Sequence, residues 1–453
     1  MNGKQLQIFF DFLRFCIGSA KEIPGSLKEV DWKELYAIAK KQCLVGVLFD
    51  GIKKLPAEYV GMKKELLLQW MAESQMLEKA NVRLNDAAIQ VSEWFRKKGF
   101  RTCILKGQGN ALMYPNPYSR TPGDIDIWVE GGDKRVISFV RSISPHEKAC
   151  YHHIEFPSYK GVEVEVHYRP SFLLCFWHNR KLQKYYERVK EEQFSHRVML
   201  GEHGEVAIPT VEFNLIFQLT HIYAHLMNEG IGLRQLLDYY YVLCDFYKVY
   251  QNSSNPSVSL SKGSSTFSPS PSSSGSGDVT APSRCSEPLR SKDGGPSKVS
   301  PNCAGWDRQD AIGDMTSATA STSTDTSATA ARSSFAANSS AAIDRVQKEL
   351  KELGLWKFAG AIMYIMQEVF GMPVSRLIVP PNEKYGKFVL NEVLEAGNFG
   401  KHDERNRFGR SQLGHNLQRV YRDMRLVRYF PAEALSEPFF RVWHFFWRLK
   451  HRR

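Results

Sequence analysis

No stretch of this 453-residue chain supplies the roughly 20 consecutive apolar residues that a membrane-spanning helix needs. The aromatic, basic run from Phe439 to Arg453 is too short and too charged to span a bilayer. Such a run can lie on a membrane surface, but docking of its aromatics on the core is the reading adopted, with peripheral membrane contact disfavoured. The Gly-x4-Gly-Lys-Ser/Thr pattern of a Walker loop is absent. His221 and His225 stand four apart, on one face of a helix, but Ile222 follows His221 where a zinc protease has glutamate. The eight cysteines form no Cys-x-x-Cys pair, which excludes the common zinc spacings and points to a reducing, cytoplasmic setting. Asp11 and Arg14 break the first apolar stretch, so no signal peptide is expected there. No internal repeat and no RNA-binding motif is present.

Residues 251–342 are dominated by Ser, Thr, Ala, Pro and Gly, a composition that cannot bury enough apolar surface to offset chain ordering. A disordered insertion is expected. Its seven basic and seven acidic residues cancel, so the net charge of +12 arises elsewhere. From Lys401 to Arg453 there are thirteen basic and five acidic side chains. Arg419, Arg422, Arg425 and Arg428 recur at three-residue spacing, either as a solvated helix face packed through Leu417, Val420, Tyr421, Met424 and Val427, or as a surface for polyphosphate, nucleic acid or anionic lipid.

The chemistry concentrates between residues 100 and 170. Arg120-Thr-Pro-Gly-Asp124-Ile-Asp126-Ile-Trp-Val129 places two carboxylates two apart after a Pro-Gly turn. In a strand, Asp124 and Asp126 face one way and Ile125 and Ile127 the other. Side-by-side carboxylates repel each other and suit a hard divalent cation, Mg²⁺ or Mn²⁺ in its place. Gly161-Val-Glu163-Val-Glu165-Val-His167 alternates strictly, with three valines on one face and Glu163, Glu165 and His167 on the other. A third carboxylate from a second strand is what metal-assisted phosphoryl or nucleotidyl transfer requires. Upstream, an apolar strand ends at Leu105-Lys106-Gly107-Gln108, a glycine turn before a short helix expected over Asn110 to Tyr114. Its N–H groups and the Lys106 charge favour anionic oxygens.

These residues resemble the DNA polymerase β-like nucleotidyltransferase superfamily, and more closely its branch of uncharacterised bacterial nucleotidyltransferases. The matching elements are Leu105-Lys106-Gly107, Arg120 to Asp126 and Glu165-Val-His167. Gly232-Leu-Arg234-Gln-Leu-Leu-Asp238 and Gly397-Asn-Phe-Gly400 match more loosely. The wider superfamily has Gly-Ser or Gly-Gly at the turn where this chain has Gly107-Gln108. Sixteen residues separate Gly107 from Asp124, somewhat more than is usual. Glu163 and Glu165 both stand where an aspartate is commoner, and the family's Glu-x-His pattern falls on Glu165.

The resemblance implies an α/β (α+β) protein. A small mixed-sheet nucleotidyltransferase core at 99–200 would follow a helical region at 1–98. It would precede a helical domain at 201–250 and 343–453, split by the insertion at 251–342. The implied activity is Mg²⁺-dependent transfer of a nucleoside monophosphate from an NTP to a hydroxyl or phosphate acceptor. Asp124, Asp126 and Glu165 would be the catalytic metal ligands, Lys106, Gly107 and Arg120 would bind the nucleotide, and His167, Arg234 and Asp238 would contact substrate. A non-catalytic nucleotide- or partner-binding protein with this fold is the alternative that Gly107-Gln108 raises. A template-independent enzyme acting on nucleic acid is a third reading.

Overall fold

The computed structural model describes residues 3–202, 204–252, 340–403, 405 and 412–451. The expected disordered insertion therefore lies outside the described residues from 253 to 339. The chain forms a mixed α/β structure whose main sheet is small: β1 (Thr102–Ile104), β2 (Ile125–Val129), β3 (His153–Tyr159) and β4 (Val162–His167), in the order β1-β2-β4-β3. β2 runs parallel to β4, while β1 and β3 are antiparallel to their neighbours. A second, two-stranded ribbon pairs β5 (Arg197–Leu200) with β6 (Gly204–Ala207).

Strand alternation decides what each face of the sheet does. Ile125, Ile127 and Val129 of β2 and Val162, Val164 and Val166 of β4 form the apolar face. They are buried against Leu84, Ala88, Val91 and Phe95 of α4 (Lys64–Lys97) and Val136, Ile137 and Val140 of α6 (Gly132–Ile143). On the opposite face Trp128 packs on Phe194 of α7 (Phe176–Ser195) and Phe213 of α8 (Val211–Asn228). The rest of that face is polar.

The N-terminal helices belong to a second, larger core. α1 (Gly3–Ile17), α2 (Trp32–Lys41) and α3 (Val45–Ile52) share it with α8, α9 (Leu233–Asn252), the helix α10 at 340–352, α11 (Trp356–Glu368) and α12 (Glu383–Ala396). Buried Gln42 joins the two regions: its Oε1 accepts from Leu233 N at 2.8 Å, and its Nε2 donates to Val393 O at 3.3 Å. α4 spans both cores. Its 34 residues extend about 50 Å, with Trp70 in the larger core and Leu84 to Phe95 in the smaller. α9 and α10 flank the low-complexity tract and lie in one core, with Phe246, Ala342, Val346 and Leu350 all buried.

The last two helices reverse an expectation. In α13 (Gln412–Leu426), Leu417, Val420, Tyr421 and Met424 are exposed, while Arg422 is buried and donates to Asn228 O. Arg425 pairs with Glu392 at 3.1 Å. Partners on neighbouring elements offset the cost of enclosing these two arginines, so half of the arginine stripe is turned inward while Arg419 and Arg428 stay exposed. α14 (Pro431–Lys450) turns Phe440, Trp443 and Trp447 toward Tyr151, yet leaves Phe439, Phe445 and Phe446 exposed. Among the described residues, no helix is long and apolar enough to cross a membrane.

The loop leading into β2 is tied to α9 by a buried ion pair. Arg120 donates Nε to Asp238 Oδ1 and Nη2 to Asp238 Oδ2, both at 2.8 Å, and Tyr114 OH donates to the same Oδ1 at 2.7 Å. Replacing Asp238 by Ala leaves a guanidinium buried without its partner, and is expected to cost about 3–5 kcal/mol of unfolding free energy. Urea unfolding of the variant beside wild type measures it; a loss below about 1 kcal/mol would show that the pair does not hold this loop.

Candidate active site

Parallel pairing of β2 with β4 sets Asp126 directly beside Glu165 on the polar face. Asp124 stands two residues earlier on the same side, and one carboxylate oxygen from each of the three lies within 4.8 Å of the others. Glu163 is exposed and outside this group. Asp126 is 2% exposed. His167 Nε2 is 2.9 Å from its Oδ1, and Lys106 Nζ is 3.1 Å from its Oδ2. The lysine contact is an ion pair without hydrogen-bond alignment, so Oδ2 is a buried oxygen with no hydrogen bond. Glu165 remains partly open to solvent, 3.3 Å from both His167 Nε2 and His153 Nδ1.

Burial opposes ionisation of these groups, and their partners overcome it. Against burial, Lys106 and His167 bring the Asp126 carboxyl below its usual range. The hydrogen bond from His167 brings Glu165 down to about 2. His167 is pushed up to about 9 by Asp126 and Glu165 despite its burial, and Lys106 is raised by Asp126, Asp124 and Glu165. Histidines facing cations behave oppositely. Burial, then Lys106, hold His221 well below its normal value, and burial and His167 bring His153 to about 4.

The turn after β1 carries Lys106 into the cluster. Gly107 has φ +65° and ψ −104°, a conformation that a side chain strains, and Leu105 N donates to Asp126 O at 3.0 Å. The helix α5 begins at once, at Gln108–Ala111, two residues before the expected start, because Gly107 itself caps it. Gln108 is buried against α4, donating to Asn81 O at 3.4 Å and to Asn85 Oδ1. Its side chain thus packs on that helix. Asn81 also holds the β2 approach, through Tyr118 O at 2.9 Å and Arg120 O at 2.8 Å.

The remaining sequence candidates lie around this cluster. Arg120 is 2% exposed and paired with Asp238, as described above. Arg234 is buried, with its guanidinium 5.9 Å from the Phe399 ring. Burial, then the charge of Arg120, keep its pKa below normal. Three features were not anticipated: the contact of His221 Nε2 with Lys106 Nζ at 3.3 Å, the place of His153 beside Glu165, and the His225–Phe399 ring pair at 5.2 Å. The adjacent histidines at the start of β3 were the available signal, but the register of His153 against His167 is a long-range fact. A cavity of about 1010 Å³ lined by Met113, Tyr241, Asp245 and Arg376 includes none of the three carboxylates. The converging charges, not that cavity, mark the site.

A hard divalent cation fits this donor set. Three carboxylates supply the oxygens that Mg²⁺ prefers, and Asp126 Oδ2 is a buried acceptor lacking a hydrogen bond. Residues 28–250 match the family model described as "Uncharacterised nucleotidyltransferase", a span that includes the whole sheet, Lys106, all three carboxylates, His221 and Asp238. No curated protein and no solved structure matches the chain. By that match, with the paired carboxylates inside it, residues 28–250 belong to the uncharacterised nucleotidyltransferase family.

Proposed function

We propose that the protein transfers a nucleoside monophosphate group from an NTP to a hydroxyl or phosphate acceptor, releasing pyrophosphate, with Mg²⁺ as cofactor. The observation that carries this reading is the gathering of Asp124, Asp126 and Glu165 oxygens on one sheet face within the family match. Asp124, Asp126 and Glu165 would hold the ion. When bound, it would supply charge stabilisation at the triphosphate and acidify the acceptor hydroxyl. Glu165, near 2, serves better as a ligand than as a general base, whose pKa should approach the working pH. His167 orients Asp126 and Glu165 from between them. Lys106 and the backbone at Gly107 take the phosphate side of the site, while Arg120, engaged with Asp238, holds the loop that delivers Asp124.

The burial of Gln108 supports a second reading, in which the fold binds nucleotide without turning it over. Pyrophosphate release with each NTP and Mg²⁺ over a mixed acceptor panel, run beside calorimetric nucleotide titration, separates the two. Turnover that falls at least about a hundredfold in Asp126→Asn, with an unchanged melting curve, is the expected result. Nucleotide binding without release across the panel would favour the second reading, and absence of both would remove the first. Lys106→Met is expected to lower kcat/KM for NTP tenfold or more, matching the ~1.5–3 kcal/mol of a charge-assisted hydrogen bond. An unchanged kcat/KM would take Lys106 out of the phosphate site.

A further inference from the structure

The polar face of the sheet holds more donors than the three carboxylates need. β3 pairs antiparallel with β4, and His153 lies opposite His167. Both imidazoles reach the same oxygen: His153 Nδ1 and His167 Nε2 each stand 3.3 Å from Glu165 Oε2, and the three donor atoms lie within 4.8 Å of one another. The donor-to-donor edge of a tetrahedral site with bonds of ~2.0–2.1 Å is about 3.3 Å, the distance of each imidazole nitrogen from the shared oxygen. A third imidazole nitrogen, His152 Nε2, lies 3.1 Å from His153 Nδ1.

The surroundings of His167 point the same way. Its Nδ1 faces the Arg169 carbonyl oxygen at 3.4 Å, leaving Nε2 as the nitrogen turned toward the carboxylates. Metal-ligating histidines are commonly fixed like this, with the second ring nitrogen donating to a backbone carbonyl. Behind His153, the partly buried His152 is held in turn by Cys150, whose Sγ is 3.4 Å from His152 Nδ1. Glu165 and His153 keep partial solvent exposure, which gives an ion a route of entry.

We propose that His153, Glu165 and His167 form a second metal position, selective for a borderline divalent ion such as Zn²⁺ or Co²⁺, sharing Glu165 with the Asp124–Asp126–Glu165 oxygen set. Two imidazoles and one carboxylate suit such ions, whereas Mg²⁺ prefers oxygen and binds nitrogen weakly. The proposal stands on the donor geometry and does not depend on nucleotidyl transfer.

Titration of the metal-stripped full chain with Co²⁺ in a large excess of Mg²⁺, followed by its visible absorption, tests it. One equivalent is expected to bind with nitrogen–oxygen ligation. His153→Gln should weaken it at least tenfold, while Asp124→Asn should leave it within about threefold. Displacement of Co²⁺ by Mg²⁺, indifference to His153→Gln, or a thiolate-to-cobalt band placing the ion at a cysteine would each overturn it. So would a loss in Asp124→Asn as large as in His153→Gln, which would reduce the site to the oxygen set. Should His153→Gln fail to melt cooperatively, pulsed EPR of Co²⁺ bound to wild type in the same excess of Mg²⁺ decides. Imidazole nitrogen coupling is the expected result, and coordination by oxygen alone would overturn the proposal.

Discussion

Like charges held together on one sheet face are the constraint to which the rest of the site answers. Two carboxylates about 4 Å apart repel each other by roughly 4 kcal/mol at an effective dielectric near 20, and here three meet, with Asp126 almost wholly enclosed. The parallel register of β2 and β4 makes this unavoidable, because it fixes Asp126 beside Glu165. Two cations answer it from either side. Lys106 arrives on the turn after β1, and His167 arrives from the same strand as Glu165, two residues on, where strand periodicity returns the side chain to the same face. The positive φ at Gly107 is part of that solution, since it lets the chain turn at the sheet edge with Lys106 aimed inward.

The scaffold holds those charges from both sides of the sheet. α4 is its spine: Leu84 to Phe95 seal the valine and isoleucine face, Trp70 anchors its first half in the helical core, and Asn81, between them, grips the backbone just before Asp124. The N-terminal helices are structurally inseparable from the C-terminal ones, as Gln42 shows by bonding to both Leu233 and Val393. The Arg120–Asp238 pair closes the loop into β2 onto α9. A defect in the helical core is therefore transmitted to the position of Asp124 through a short chain of buried polar contacts.

Local periodicity made much of the sheet legible. The alternations of Ile125 to Val129 and Val162 to His167 identify both strands and the face each residue takes. Pairing between distant segments was not legible. Arg234 and Asp238, implied substrate contacts, stand four apart on α9, yet Asp238 is bound bidentately by Arg120, 118 residues away, while Arg234 faces Thr121 O and the Phe399 ring. His153 reaches Glu165 only through the antiparallel register of β3. On α13 the pattern misled for a physical reason. Arginine stems are themselves apolar and pack readily once the guanidinium finds a carbonyl or carboxylate, so Arg422 and Arg425 turned inward and Leu417 and Met424 outward.

The site also depends on chain beyond the family match. His221 touches Lys106 from α8, and the end of that helix is fixed by segments after residue 250: Arg422 donates to Asn228 O, and Gly400 lies so close to Glu229 O that a Cβ there would collide with it. Gly400, at φ +66°, is thus required by both space and conformation. Phe399 beside it accepts a left-handed backbone at φ +53°, a strained state for a non-glycine residue, and there its ring meets His225 one turn from His221. The carboxylates and their cations therefore come from the matched segment, while the wall they face is set by the C-terminal helices, so changes in the two segments act on different properties of one site.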